Sequence, residues 1–154
     1  MGGWPAFWVA AVALFAWAVY ADVKLGSEDR LARWWLARVE AWGPATGPLS
    51  FMLSAAALGG FGLLAYAGHA VAEHLGNPLW ALVATGPAML VYVPLSFATA
   101  PAQYRGYLDW RFALAHAGAD ARLQRTIAWC AGPPSLLGIG AVTLALASAF
   151  VPSF

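Results

Sequence analysis

With 154 residues, 62% of them hydrophobic and 10% charged, the chain has more apolar surface than one soluble core can hide, so it belongs in a bilayer and soluble readings are excluded. The net charge of +1 conceals a sorted distribution, because Lys24, Arg30, Arg33, Arg38, Arg105, Arg111, Arg122 and Arg125 all fall in two connectors between apolar runs. A lone Cys130 cannot form an intrachain disulfide, which excludes a thiol–disulfide exchange enzyme; it reads as a small apolar residue.

The first apolar run, about 4–21, carries no charge and is just long enough for a hydrocarbon core of roughly 30 Å. Val19-Tyr20-Ala21 looks like a secretion cleavage site, but no basic leader precedes the run, so it is read as a retained transmembrane helix. Trp4, Trp8, Trp17 and Tyr20 sit towards its ends, where amphipathic rings favour headgroups. The chain then becomes amphipathic up to Trp42. Ser27 suits an N-cap, and Glu28 and Asp29 suit the positive end of a helix. Leu31, Trp34, Trp35, Leu36, Val39 and Trp42 share one broad side, with Arg30, Arg33, Arg38 and Glu40 mostly elsewhere, which predicts a helix lying in the membrane surface. Gly43-Pro44 stops it.

The second span, about 48–71, holds Gly59, Gly60, Gly62 and Gly68, small residues that let another helix approach closely. The short connector Glu73 to Asn77 makes spans two and three antiparallel neighbours. The third span, about 78–100, carries Gly86-Pro87 and Pro94, which predict kinks of a structural kind or, alternatively, a cavity or gate. A second basic connector mixes Tyr104, Tyr107, Trp110 and Phe112 with Arg105, Asp109 and Arg111. The fourth span, about 133–151, follows Gly132-Pro133-Pro134, with Ala141, Ala145 and Ala149 as a packing edge.

A pattern occurs twice: Arg38-Val39-Glu40-Ala41-Trp42 before Gly43-Pro44, and Arg125-Thr126-Ile127-Ala128-Trp129 before Gly132-Pro133. Each half, about 1–76 and 77–154, reads helix, basic connector, helix. Either an internal duplication or recurrent membrane-interface chemistry accounts for it. The expected fold is an all-α integral membrane protein: a four-transmembrane-helix bundle of two helix hairpins with amphipathic interfacial connectors. The positive-inside rule places both connectors in the cytoplasm of a bacterial inner membrane, and both termini and the Glu73 to Asn77 turn on the other side.

A charged residue at a helix centre costs roughly 2.5–3.5 kcal/mol on insertion scales, so membrane enzymes and pumps keep one only where function demands it. No Asp, Glu, Lys, Arg or His is central in any span, which argues against a proton relay or ion-coupled transporter. Ser54, Thr85, Tyr92, Ser96 and Thr143 are the main polar groups inside, and hydroxyls there usually bond backbone carbonyls or neighbouring helices. Tyr66, His69, Glu73 and His74 cluster at the outer end of span two. His69 and Glu73 share a helix face with Tyr66 one turn earlier, a spacing that serves ordinary interface polarity, ligation of a metal, haem or chlorophyll, or quinone chemistry. A metal would need a third ligand from elsewhere. His116 lies a membrane thickness away and reads as a solvated loop residue. Arg30, Arg33, Trp34, Trp35, Arg38, Trp42, Arg105, Trp110, Arg111, Arg125 and Trp129 are expected to touch lipid headgroups or partner subunits rather than nucleic acid. No phosphate loop, catalytic triad or paired-cysteine motif is present.

The basic stretch Arg30 to Arg38, the Pro-led second span and the ending Arg125 to Trp129 with Pro133-Pro134-Ser135-Leu136-Leu137 resemble small four-span families: the HemJ-type protoporphyrinogen oxidases and the CopD-like membrane domain. The resemblance covers most of the chain and implies a tetrapyrrole-binding membrane oxidoreductase. Those families place histidines within the membrane, where this first span has Phe7 and Trp8 and the third has Tyr92, so no catalytic residue carries across. The leading expectation is a non-catalytic accessory or scaffold subunit of an energy-transducing inner-membrane complex, bound to lipid and to other subunits or to itself, with no certain cofactor. The tetrapyrrole-binding oxidoreductase is the alternative.

Overall fold

The computed structural model describes residues 3–100 and 104–151, with the side chains of all but residue 40 and residues 104–108. Those residues form six α-helices and no strand, and four of the helices are long and apolar enough to cross a membrane.

Helix α1, Trp4–Leu25, opens with Pro5 in its first turn and ends at Gly26, whose left-handed φ of 57° lets its amide donate to the carbonyls of Ala21 and Asp22. Gly26 alone joins α1 to α2, Ser27–Trp42. Ser27, expected as an N-cap, is instead the first helical residue and caps nothing; Asp22 Oδ1 at the end of α1 accepts from the Glu28 amide at 3.3 Å. A short 3-10 turn, Gly43–Ala45, leads into α3, Thr46–Leu75, and a second, Pro78–Trp80, into α4, Ala81–Thr99. Where α3 and α4 cross, a Cβ on Gly68 would lie 2.7 Å from the carbonyl oxygen of Ala81, so glycine is what permits the approach.

After α5, Tyr104–His116, Asp120 caps α6 by accepting from the amides of Arg122 and Leu123 at 2.9 and 2.7 Å. The cap sets the start of α6, Ala121–Phe150, so Gly132-Pro133-Pro134 lie inside this helix rather than ahead of it. Both α3 and α6 have 30 residues, about 45 Å at the usual rise, and therefore outreach a hydrocarbon core of roughly 30 Å. The surplus start of α6 supports a second core beyond the spans.

That second core corrects the expectation for the connectors. Helices α2 and α5 pack on one another, α2 also on α4 and α5 also on α6, so both basic connectors lie at one end of the bundle. Trp35 and Trp110, expected to meet lipid or a partner, are buried there, edge to face with ring centroids 6.2 Å apart. Ala32, Leu114, Ile127 and Ala128 surround them. Trp35 Nε1 donates to Ser50 Oγ at 2.9 Å, which anchors the layer to α3. An amphipathic helix buries its apolar stripe against whatever apolar surface is nearest, and here that is the other connector.

Within the spans, α3, α4 and α6 meet around Tyr92, which stacks on Phe61 at 5.0 Å and sets its hydroxyl against Gly138. Helix α1 rests on α4 and α6, and its backbone stands apart from that of α3. Its tie to α4 is a hydrogen bond: Pro94 has no N–H to give the carbonyl of Leu90 one turn earlier, and Trp17 Nε1 supplies one at 2.8 Å.

Candidate functional site

Because α1 and α3 stand apart, a cleft opens between them over α4, with α2 across its connector end. It encloses about 680 Å³, within the roughly 300–1,000 Å³ usual for small-molecule sites. Trp17 and Ala21 form one wall, and Leu53, Ser54 and Ala57 the other. Tyr92, Leu95, Ser96 and Thr99 make the floor, and Arg30, Leu31 and Trp34 the roof.

The hydroxyls around this space are satisfied unevenly. Ser96 Oγ donates to the Val93 carbonyl at 3.0 Å, and outside the cavity Thr85 and Thr143 donate to Ala81 and Ile139 as expected. Thr99 and Ser135 lie 2.6 Å apart, each also within reach of its own helix carbonyl, of Leu95 and Ala131 respectively. Two hydroxyl protons serve three contacts, so this pair keeps spare acceptor capacity. Ser54, buried and lining the cavity, has no hydrogen-bond partner among the described residues, and the Tyr92 hydroxyl has none either. Ser54 and Tyr92 thus depart from the expectation that intramembrane hydroxyls bond nearby carbonyls.

The roof is electrostatically divided. Arg30 turns a guanidinium nitrogen back to the Leu25 carbonyl at the negative end of α1 while remaining exposed. On the other side of α2, Asp22, Glu28 and Asp109 line a smaller hollow of about 180 Å³. Burial, and then the carboxylates of Asp22, Asp109 and Asp29, push the Glu28 carboxyl up to about 7.

The cluster singled out from sequence lies elsewhere. His69 Nε2 and Glu73 Oε1 stand 3.4 Å apart on the outside of α3, both exposed, with Tyr66 74% exposed one turn before. His74 is exposed as well, and no group of three His, Cys, Asp or Glu among the described residues is placed to hold a metal ion. Arg33, Trp34, Arg125 and Trp129 face outward; Arg38, Trp42 and Arg111 are half-buried. Arg38 lies over the Trp34 ring at 3.6 Å. The side chain of Arg105 lies outside the described residues. His116 is exposed, its Nδ1 3.2 Å from the Phe112 carbonyl oxygen, and Cys130 is half-buried beside Gly47. Trp17, Thr99 and Ser135 were not marked as site residues by sequence; an indole one turn from a span end reads as an interface anchor until its acceptor is known.

Compared with models of known protein families, with curated proteins and with solved structures, the chain matches none.

Proposed function

We propose that the protein is a non-catalytic accessory subunit of a bacterial inner-membrane complex, of the energy-transducing kind, to which it presents the outer face of α3. One observation carries this reading. Gly59, Gly62, Tyr66, His69 and Glu73 follow one another at three- and four-residue steps on α3, and every one is exposed. That spacing makes a straight seam for a second helix. A Cβ at Gly59 or Gly62 would meet nothing within 4 Å, so this glycine face of α3, unlike Gly68, is not used inside the bundle. The exposed His69–Glu73 pair at the outer end of this seam offers a neighbouring helix a polar contact. The basic connectors face the cytoplasm in this reading and both termini the opposite side. The pairing of α1 with α4, α2 with α5 and α3 with α6 supports descent from a duplicated half.

Co-purification from native membranes in a mild detergent tests it. A membrane partner that comes down with the parent protein and is lost on Gly62→Leu is the expected outcome. A chain that is always alone and monomeric defeats the reading, as does association with a second copy only. The absorbance spectrum of the same preparation tests the alternative: haem or chlorophyll bands that vanish on His69→Ala would favour a tetrapyrrole-binding oxidoreductase.

A further inference from the structure

The cleft between α1 and α3 lies on the opposite side of α3 from the seam just described, since residues 53, 54 and 57 are about half a helical turn away from residues 59, 62 and 66. It has three properties that together select a ligand. Its body is apolar and lies between two spans whose backbones stand apart, so a ligand can enter from the bilayer. Its roof carries Arg30, an exposed cation with donors to spare after one contact to Leu25, while the carboxylates of Asp22, Glu28 and Asp109 lie around the other hollow. Between roof and body, buried Ser54 offers a hydroxyl with no partner among the described residues. That hydroxyl borders the cavity, where an acceptor on a bound molecule can meet it.

Along α1 the cavity reaches from Leu25 to Trp17, roughly 12 Å at about 1.5 Å per residue. An anion at the water-facing end, an acceptor just below it and an apolar tail deeper still is the order of groups in a membrane lipid. We propose that the cleft is a binding site for one anionic glycerophospholipid. Its phosphate sits at Arg30, its ester region beside Ser54, and the upper part of one acyl chain along Ala56, Ala57 and Val91. Basic pockets between transmembrane helices hold anionic headgroups by the same physics. The remainder of the tail stays in the bilayer, so the site is a fixed lipid position at the edge of the bundle.

The test is native mass spectrometry of the full chain released from neutral-detergent micelles after incubation with dioleoyl phosphatidylglycerol or dioleoyl phosphatidylcholine. One phosphatidylglycerol per chain is expected, with phosphatidylcholine retained about tenfold less. Ala57→Trp fills the cavity from an exposed wall position and should lower phosphatidylglycerol retention by about tenfold at unchanged helix content. If that variant fails to fold, Ser54→Leu carries the same expectation. Arg30→Gln should reduce phosphatidylglycerol to the phosphatidylcholine level. Equal retention of the two lipids by the parent, full retention by the filled variant, or displacement of the lipid by excess inorganic phosphate would each overturn the proposal. None of these outcomes bears on the outer seam of α3, whose own test is the recovered partner.

Discussion

Truncating Trp35 asks whether the connectors form a core of their own or lie separately on the membrane. Trp35 is 4% exposed, meets Trp110 edge to face and donates to Ser50, itself fully buried. Removing a buried indole costs about 3–5 kcal/mol, so Trp35→Ala should be among the most damaging single changes in the connector layer. Smaller changes dissect the hydrogen bond. Trp35→Phe leaves the Ser50 hydroxyl unpaired, and Ser50→Ala leaves the indole N–H unpaired; each should cost about 1–3 kcal/mol. In the double variant neither orphan remains, so the combined loss should fall short of the sum by about 1 kcal/mol. Equilibrium unfolding in mixed micelles, followed by far-ultraviolet circular dichroism, gives all four corners of the cycle. Additivity within about 0.3–0.5 kcal/mol, or a Trp35→Ala loss below about 1 kcal/mol, would refute a packed connector layer.

Other perturbations have equally definite signs. Glu28, whose carboxyl is raised to about 7 in the folded chain, binds a proton more tightly folded than unfolded, so it makes stability fall as pH rises from about 4.5 to about 7. Glu28→Gln should flatten the thermal-stability profile across that window and raise stability at pH 8; an unchanged slope would contradict the burial and carboxylate crowding assigned to it. Gly138→Ala puts a methyl onto the Tyr92 hydroxyl and should cost about 1–3 kcal/mol in micelle unfolding. Tyr92→Phe should be near neutral by itself, because the hydroxyl has no partner among the described residues, and should recover part of the Gly138→Ala loss. Trp17→Phe orphans the Leu90 carbonyl and should cost about 0.6–1.7 kcal/mol. In a Pro94→Ala background, where the backbone N–H returns, that loss should largely disappear, and an undiminished loss would show that Trp17 acts by packing alone.

The spans, their number and the gathering of cations into two connectors could be read directly from the residues, because transfer from water to hydrocarbon is a property of composition that needs no neighbour to be known. Two turns were legible for the same local reason, since Gly43 and Gly76 adopt the positive φ that other residues resist, whereas the turn at Gly26 went unmarked. What faces what was not. Phe61 and Leu63 lie two residues apart on α3, one 3% and the other 72% exposed, and both are apolar. Lipid is as oily as a protein interior, so hydrophobicity cannot tell a buried side from a lipid-facing one; shape and hydrogen-bond partners decide. Tertiary packing alone therefore turned Trp35 and Trp110 inward, carried α6 through Pro133-Pro134, gave the Leu90 carbonyl to Trp17, and held α1 off α3 to leave the cavity beside Ser54.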